Sequence, residues 1–149
     1  MRAIVQRVSM AKVTVGESVT GEIGRGALVL LGVTHNDVAK DADYLVDKII
    51  NLRIFDDEDG KMNLSLLDIK GEMLVVSQFT LYGDTRRGRR PSFIDAAPGA
   101  EAMLWYEQFV AKARESVENV ATGAFGEMMD VELVNDGPVT IMLDSEKSF

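Results

Sequence analysis

The sequence contains no cysteine. That excludes a disulfide framework, a thiolate metal site and a cysteine nucleophile, and it fits a reducing compartment. A single histidine, His35, is present. Imidazole-built zinc sites and multi-histidine relays are therefore excluded. Prolines are few, three in 149 residues, and none stands in a linker-like setting. No apolar run approaches the roughly 18 residues that cross a bilayer. The start, Met1-Arg2-Ala3-Ile4-Val5-Gln6-Arg7, lacks the apolar stretch of a secretory signal. A cytoplasmic protein with no membrane association is the expectation. The length and the 46% hydrophobic content point to one domain, residues 1–149, with a real core.

Positive charge is scarce: 16 Lys and Arg face 24 Asp and Glu, a net charge of −8. General affinity for nucleic acid is disfavoured. The distribution runs against the total, because Arg86, Arg87, Arg89 and Arg90 place four cations in five residues. A local basic patch on an acidic body still holds a short stretch of phosphate backbone.

Hydrophobic periodicity gives the order ββββ-α-ββ-α-ββ. Strands are expected over Met1–Val8, Ala11–Val15 and Ser18–Ile23. Ala27–Val33 reads as a strand buried on both faces. Val38, Ala42, Leu45, Val46 and Ile49 recur at helical spacing, with Asn36 or Asp37 as the cap. Arg53–Asp56 and Met73–Phe79 read as strands. Thr80–Ala97 has no period and is expected as a long loop. Pro98 is suited to the first position of a second helix, whose apolar face is Ala102, Trp105, Tyr106, Phe109, Ala113 and Val117 and which ends near Asn119–Gly123. Two last strands, Met128–Val134 and Val139–Leu143, flank Asn135-Asp136-Gly137-Pro138. The fold class is α+β: a compact, β-barrel-like sheet core covered by two main helices.

Several familiar motifs fail on inspection. Ser77 has Val75 and Phe79 where a nucleophile elbow needs glycines, and His35 lies in a distant loop. In Asp56-Asp57-Glu58-Asp59-Gly60 a calcium-loop register would put Phe55 and Leu66 at carboxylate positions. Gly21, Gly24 and Gly26 have the wrong spacing for a dinucleotide fingerprint and precede a strand. Trp105, Tyr106 and Phe109 read as core. No metal ligand set and no cofactor is implied.

Two segments remain. Ser77-Gln78-Phe79-Thr80-Leu81 puts two hydroxyls and an amide at the end of a buried strand. They either cap the strand end or face a cleft. Asn135-Asp136-Gly137-Pro138-Val139-Thr140 is either an unusual turn or part of a site, because proline after glycine removes a ladder donor.

With the opening Met-Arg-Ala-Ile-Val-Gln-Arg-Val and Arg90-Pro91-Ser92-Phe93, these segments resemble the D-aminoacyl-tRNA deacylase family, in order and over the whole chain. The resemblance implies hydrolysis of the ester between a D-amino acid and the terminal adenosine of tRNA, and clearance of glycine from tRNA. It implies a homodimer with active sites at the interface. It also implies a cis Gly137-Pro138 element, continued by Val139 and Thr140 and braced by Arg7, that reaches into the pocket of the other subunit and excludes L side chains. The expected catalytic segment is Ser77, Gln78, Phe79 and Thr80. The amides of Phe79 and Thr80 would stabilise an oxyanion, Ser77 and Gln78 would orient water or adenosine, and the ribose 2′-hydroxyl would assist. Thr80 as a covalent nucleophile is the rival mechanism. Arg86, Arg87, Arg89 and Arg90 would contact tRNA phosphates. The partner is tRNA, not DNA. A non-catalytic tRNA-binding module is the alternative.

Overall fold

The first strand, β1 (Arg2–Val15), uses both of its edges and carries the sheet. In the computed structural model, which describes residues 1–149, it is continuous where two strands are expected. A shift in pairing between Val8 and Met10 explains both the expectation and the outcome. An extra residue flips the inward set of a strand to its other face. Ala3 and Val5 therefore enter a larger core of 25 buried residues, while Val8, Ala11 and Val13 enter a second core of seven.

Strand β2 (Ser18–Ile23) pairs antiparallel with the far half of β1, and β3 (Gly26–Gly32) with the near half. Helix α1 (Ala39–Asn51) follows, then the small hairpin β4 (Phe55–Asp56) and β5 (Met62–Leu64). Strand β6 (Glu72–Ser77) runs parallel to β3. A 3-10 helix, Phe79–Tyr82, and helix α2 (Gly99–Arg114) lead to β7 (Val120–Thr122), which runs parallel to β6. Strand β8 (Asp130–Asp144) returns along the other edge of β1.

The apolar runs of β3 and β6 are explained by burial on both faces. Val29, Leu31, Met73 and Val75 point into the larger core; Leu28, Leu74 and Val76 point into the smaller. Gly26 lets β3 approach β6 closely, since a Cβ there would stand 2.7 Å from the Glu72 amide nitrogen. β2 comes back against β7, which nearly closes a barrel in a single domain. Both helices cover the larger core, α1 through Leu45, Val46 and Ile49 and α2 through Ala102, Tyr106, Phe109 and Ala113. No helix is long and apolar enough to cross a membrane.

The element ends depart from the sequence reading for identifiable reasons. Asp37 does not cap α1: its carboxylate receives the buried Met1 ammonium and the Thr34 amide, and Val38 takes the cap position. Pro98 is the residue before α2 rather than its first. α2 stops at Arg114, which frees Val120–Thr122 to extend the sheet as β7. The last two strands are one. Val8 pairs with Asn135 and Gln6 with Thr140, so both flanks run antiparallel to β1 and Asp136–Val139 bulge out opposite Arg7.

Candidate functional site

The end of β6 delivers Ser77, Gln78 and Phe79 to a cleft. Ser77 is the last strand residue, paired with Leu31, and the Gln78 amide donates to the Leu31 carbonyl at 2.7 Å. The chain then turns into the 3-10 helix. Its anchors are Tyr82, which is buried, and Arg2, which donates to the Leu81 carbonyl at 3.1 Å and stacks 4.5 Å above the Tyr82 ring. Burial pushes the Tyr82 hydroxyl above the ordinary tyrosine range, so it stays neutral.

At the start of a helix the first amides have no helical acceptor. Here the Leu81 amide bonds back to Gln78, whereas the Phe79 and Thr80 amides have no acceptor in the chain. Gln78 Nε2 donates to the Thr80 hydroxyl at 2.5 Å. The two side chains are thus turned toward each other; Gln78 lines the cleft, and Thr80 stands just outside its lining.

The cleft has a volume of about 370 Å³. Ser77, Gln78 and Phe79 form one wall; Phe93, Ala96 and Ala97 form another. The second wall is tied down by the Ala97 amide to the Val33 carbonyl (3.0 Å), the Thr34 hydroxyl to the Asp95 carbonyl (2.6 Å) and the His35 ring against the Ile94 carbonyl (2.7 Å). His35 therefore serves the wall and does not line the cleft. Tyr106 closes the floor, its hydroxyl donating to the Val75 carbonyl at 2.8 Å, and burial pushes its pKa up to about 12. Phe79 and Phe93 meet edge to face, ring centres 5.0 Å apart, and Phe79 remains half exposed.

The other predicted residues stand elsewhere. Gly137, Pro138, Val139 and Thr140 do not line this cleft. Arg7 pairs with Ala27 whereas Ser77 pairs with Leu31, so the two levels lie roughly 13 Å apart along β3. The Gly137–Pro138 peptide is cis. Gly137 has φ +150°, and a Cβ there would meet Val139 Cγ2 at 2.7 Å, so the position tolerates no side chain. Asn135 shapes the bulge from inside, its Oδ1 accepting from the Val139 amide at 2.8 Å and its Nδ2 donating to the Thr140 hydroxyl at 3.1 Å. Arg7, almost fully buried, holds the bulge from β1: its Nε donates to the Asp136 carbonyl at 2.8 Å.

The arginine loop is a closed structure, not a loose one. Asp84 and Ser92 exchange backbone hydrogen bonds of 2.8 and 2.9 Å. Arg86 folds back on Asp84 through a bidentate pair, 2.9 and 2.8 Å, which holds the Asp84 carboxyl down to about 2. Arg87, Arg89 and Arg90 are exposed and make no side-chain hydrogen bond. Sequence reasoning missed this difference within the cluster, although the Asp84-Thr85-Arg86 spacing carries it. No group of three or more His, Cys, Asp or Glu side chains stands together as a metal-ligand set.

The comparisons extend over the same ground. The family model described as D-Tyr-tRNA(Tyr) deacylase matches residues 4–144. A protein of Clostridioides difficile named D-aminoacyl-tRNA deacylase is 64% identical over 149 residues, all of both chains. One of the same name from Thermosipho melanesiensis is 61% identical over 150 residues, again all of both chains. A solved structure titled c-Myc DNA Unwinding Element Binding Protein superposes with a TM-score of 0.92 at 44% identity, covering 97% of this chain and 98% of that one. A probable eukaryotic D-amino acid tRNA deacylase shares the fold at a TM-score of 0.83 and 17% identity, over 95% and 97% of the two chains. The class is that of hydrolases. The chain belongs to the D-Tyr-tRNA(Tyr) deacylase family.

Proposed function

We propose that this protein hydrolyses the ester of D-aminoacyl-tRNA, and of glycyl-tRNA, releasing the amino acid and the tRNA. The observation that carries the reading is the pair of unengaged amides of Phe79, which lines the apolar cleft, and of Thr80, the next residue along the chain. An aminoacyl ester is already activated, so its hydrolysis needs oxyanion stabilisation and a placed water more than a strong nucleophile. Water adds to the carbonyl, the two amides hold the oxyanion, and collapse expels the ribose 3′-oxygen, which leaves with a proton. The neighbouring 2′-hydroxyl relays that proton. Ser77 and Gln78 orient the water or the adenosine. The Thr80 hydroxyl accepts from Gln78 and has no basic side chain among its hydrogen-bond partners, which favours a fixed orientation over nucleophilic attack.

Selection for D substrates falls to Gly137-Pro138, with Val139 and Thr140 as its continuation and Arg7 as its brace. Because this element does not line its own cleft, it serves the cleft of a second copy in a homodimer. The outer edge of β8, which pairs only with β1, supports that arrangement. The location proposed with this substrate is the cytoplasm. The test is deacylation of D-tyrosyl-tRNA and L-tyrosyl-tRNA, with and without a chelator, for wild type and Thr80→Ala. The expected result is loss of the D ester alone, unaffected by chelator and retained in the variant. A stable D ester overturns the reading; a dead variant makes Thr80 a reacting group.

A nucleic-acid-binding module without turnover is the second reading. It is favoured by the arginine loop and by the relative titled as a DNA-unwinding-element binder. In either reading Arg87, Arg89 and Arg90 meet phosphates, while Arg86 is spent on Asp84. Replacing Arg87 with Gln should lower the log–log salt slope of tRNA binding by about 0.7–0.9. An unchanged slope removes Arg87 from the interface.

A further inference from the structure

Arg7 is held on the side away from the bulge as well as the side facing it. Its Nη1 donates to the Ile54 carbonyl at 2.8 Å and to Asp56 Oδ1 at 3.3 Å. On the other side its Nε meets the Asp136 carbonyl at 2.8 Å and Asp136 Oδ2 at 3.4 Å. We propose that Asp56 is a positioning residue for Gly137–Pro138, acting through Arg7, and that it sharpens the discrimination between D- and L-aminoacyl esters. The inference rests on the reading of that segment as the chirality filter.

The guanidinium is planar and rigid, so a shift at Nη1 reaches Nε directly. The Asp136 carbonyl belongs to the peptide immediately before Gly137. The height at which Gly137–Pro138 stands out from β8 is therefore set by where Arg7 sits. Two groups at the start of the hairpin fix Arg7: the backbone carbonyl of Ile54, just before β4, which no substitution removes, and the Asp56 carboxylate, which supplies the charge. The hairpin is a firm abutment. Phe55 is buried at 1% exposure, and the Asp57 carboxylate closes the turn by accepting from the Asp59 and Lys61 amides at 2.9 and 3.0 Å. Asp56 itself is half exposed, so its replacement leaves the core intact.

Excluding an L side chain depends on the filter's position far more than accepting a D or a glycyl ester does, because a misplacement of about 1 Å is enough to change rates strongly. Asp56→Asn should thus raise kcat/KM for L-tyrosyl-tRNA about three- to tenfold, the range for a partly exposed ion pair to a buried arginine. Turnover of D-tyrosyl-tRNA and glycyl-tRNA should stay within about twofold. Asp56→Glu should recover part of the ratio, and the Arg7 Nε–H resonance should move in Asp56→Asn. A D-to-L ratio that Asp56→Asn leaves unchanged overturns the assignment, as does an unmoved Arg7 signal. A parallel fall for all three substrates, together with a lower Tm, makes Asp56 merely structural and equally overturns it. Equal D and L rates in the wild type would overturn the filter reading itself, a result distinct from either of these.

Discussion

Phe79→Pro should lower kcat on D-tyrosyl-tRNA about 10²–10³-fold below Phe79→Ala, the effect of deleting one oxyanion donor. The comparison isolates one N–H, because both variants lose the phenyl ring and its contact with Phe93. Phe79 is the first residue of the 3-10 helix, where the amide has no acceptor and proline's fixed φ is compatible. Gln78 before it, at φ −144° and ψ +79°, already lies outside the α region that a following proline disfavours. The fold therefore loses no hydrogen bond, and Tm should be nearly equal in the two variants. Single-turnover deacylation gives kcat directly. Equal rates for Phe79→Pro and Phe79→Ala would show that the amide does not hold the developing charge.

Phe109→Ala should cost about 3–5 kcal/mol of folding free energy. Phe109 is at 0% exposure on the inner face of α2, in the larger core between sheet and helices. Removing the ring takes away its transfer free energy and leaves a cavity in the packed core. With a urea m-value of about 1–3 kcal/mol/M, the midpoint should fall by about 2 M. Val19→Thr, at a site 54% exposed on β2, should move it hardly at all. A shift for Phe109→Ala no larger than for Val19→Thr would mean that the core relaxes around the loss.

Much of this architecture is legible in the sequence where pattern and burial coincide. The helical spacing of Leu45, Val46 and Ile49, and of Ala102, Tyr106 and Phe109, yields both helices and their buried faces. The apolar runs of β3 and β6 announce strands buried on two sides. What escapes is pairing. That Val8 and Met10 belong to one strand, and Val134 and Thr140 to another, depends on register along β1, which no local period encodes. β7 is three residues long and acquires its strand character only from β6. In the site, the polar end of β6 stands out because Ser77-Gln78 follows four buried apolar residues. The two free amides do not stand out, since a backbone group carries no letter. Nor does the tie from Arg7 to Asp56, formed across 49 residues by the folding of a separate hairpin.

The clasp between Asp84 and Arg86 has a consequence for how a polyanion finds this molecule. A body of net charge −8 repels it from most directions, and Arg87, Arg89 and Arg90 attract it from one. Because the loop is closed by two backbone bonds and a bidentate ion pair, the attractive spot keeps a fixed bearing relative to the cleft. If the loop meets tRNA as proposed, encounters would be sorted by orientation before contact, over about the 8 Å to which charge reaches at physiological ionic strength. The gain on that reading would be in the fraction of collisions that arrive pointing the right way.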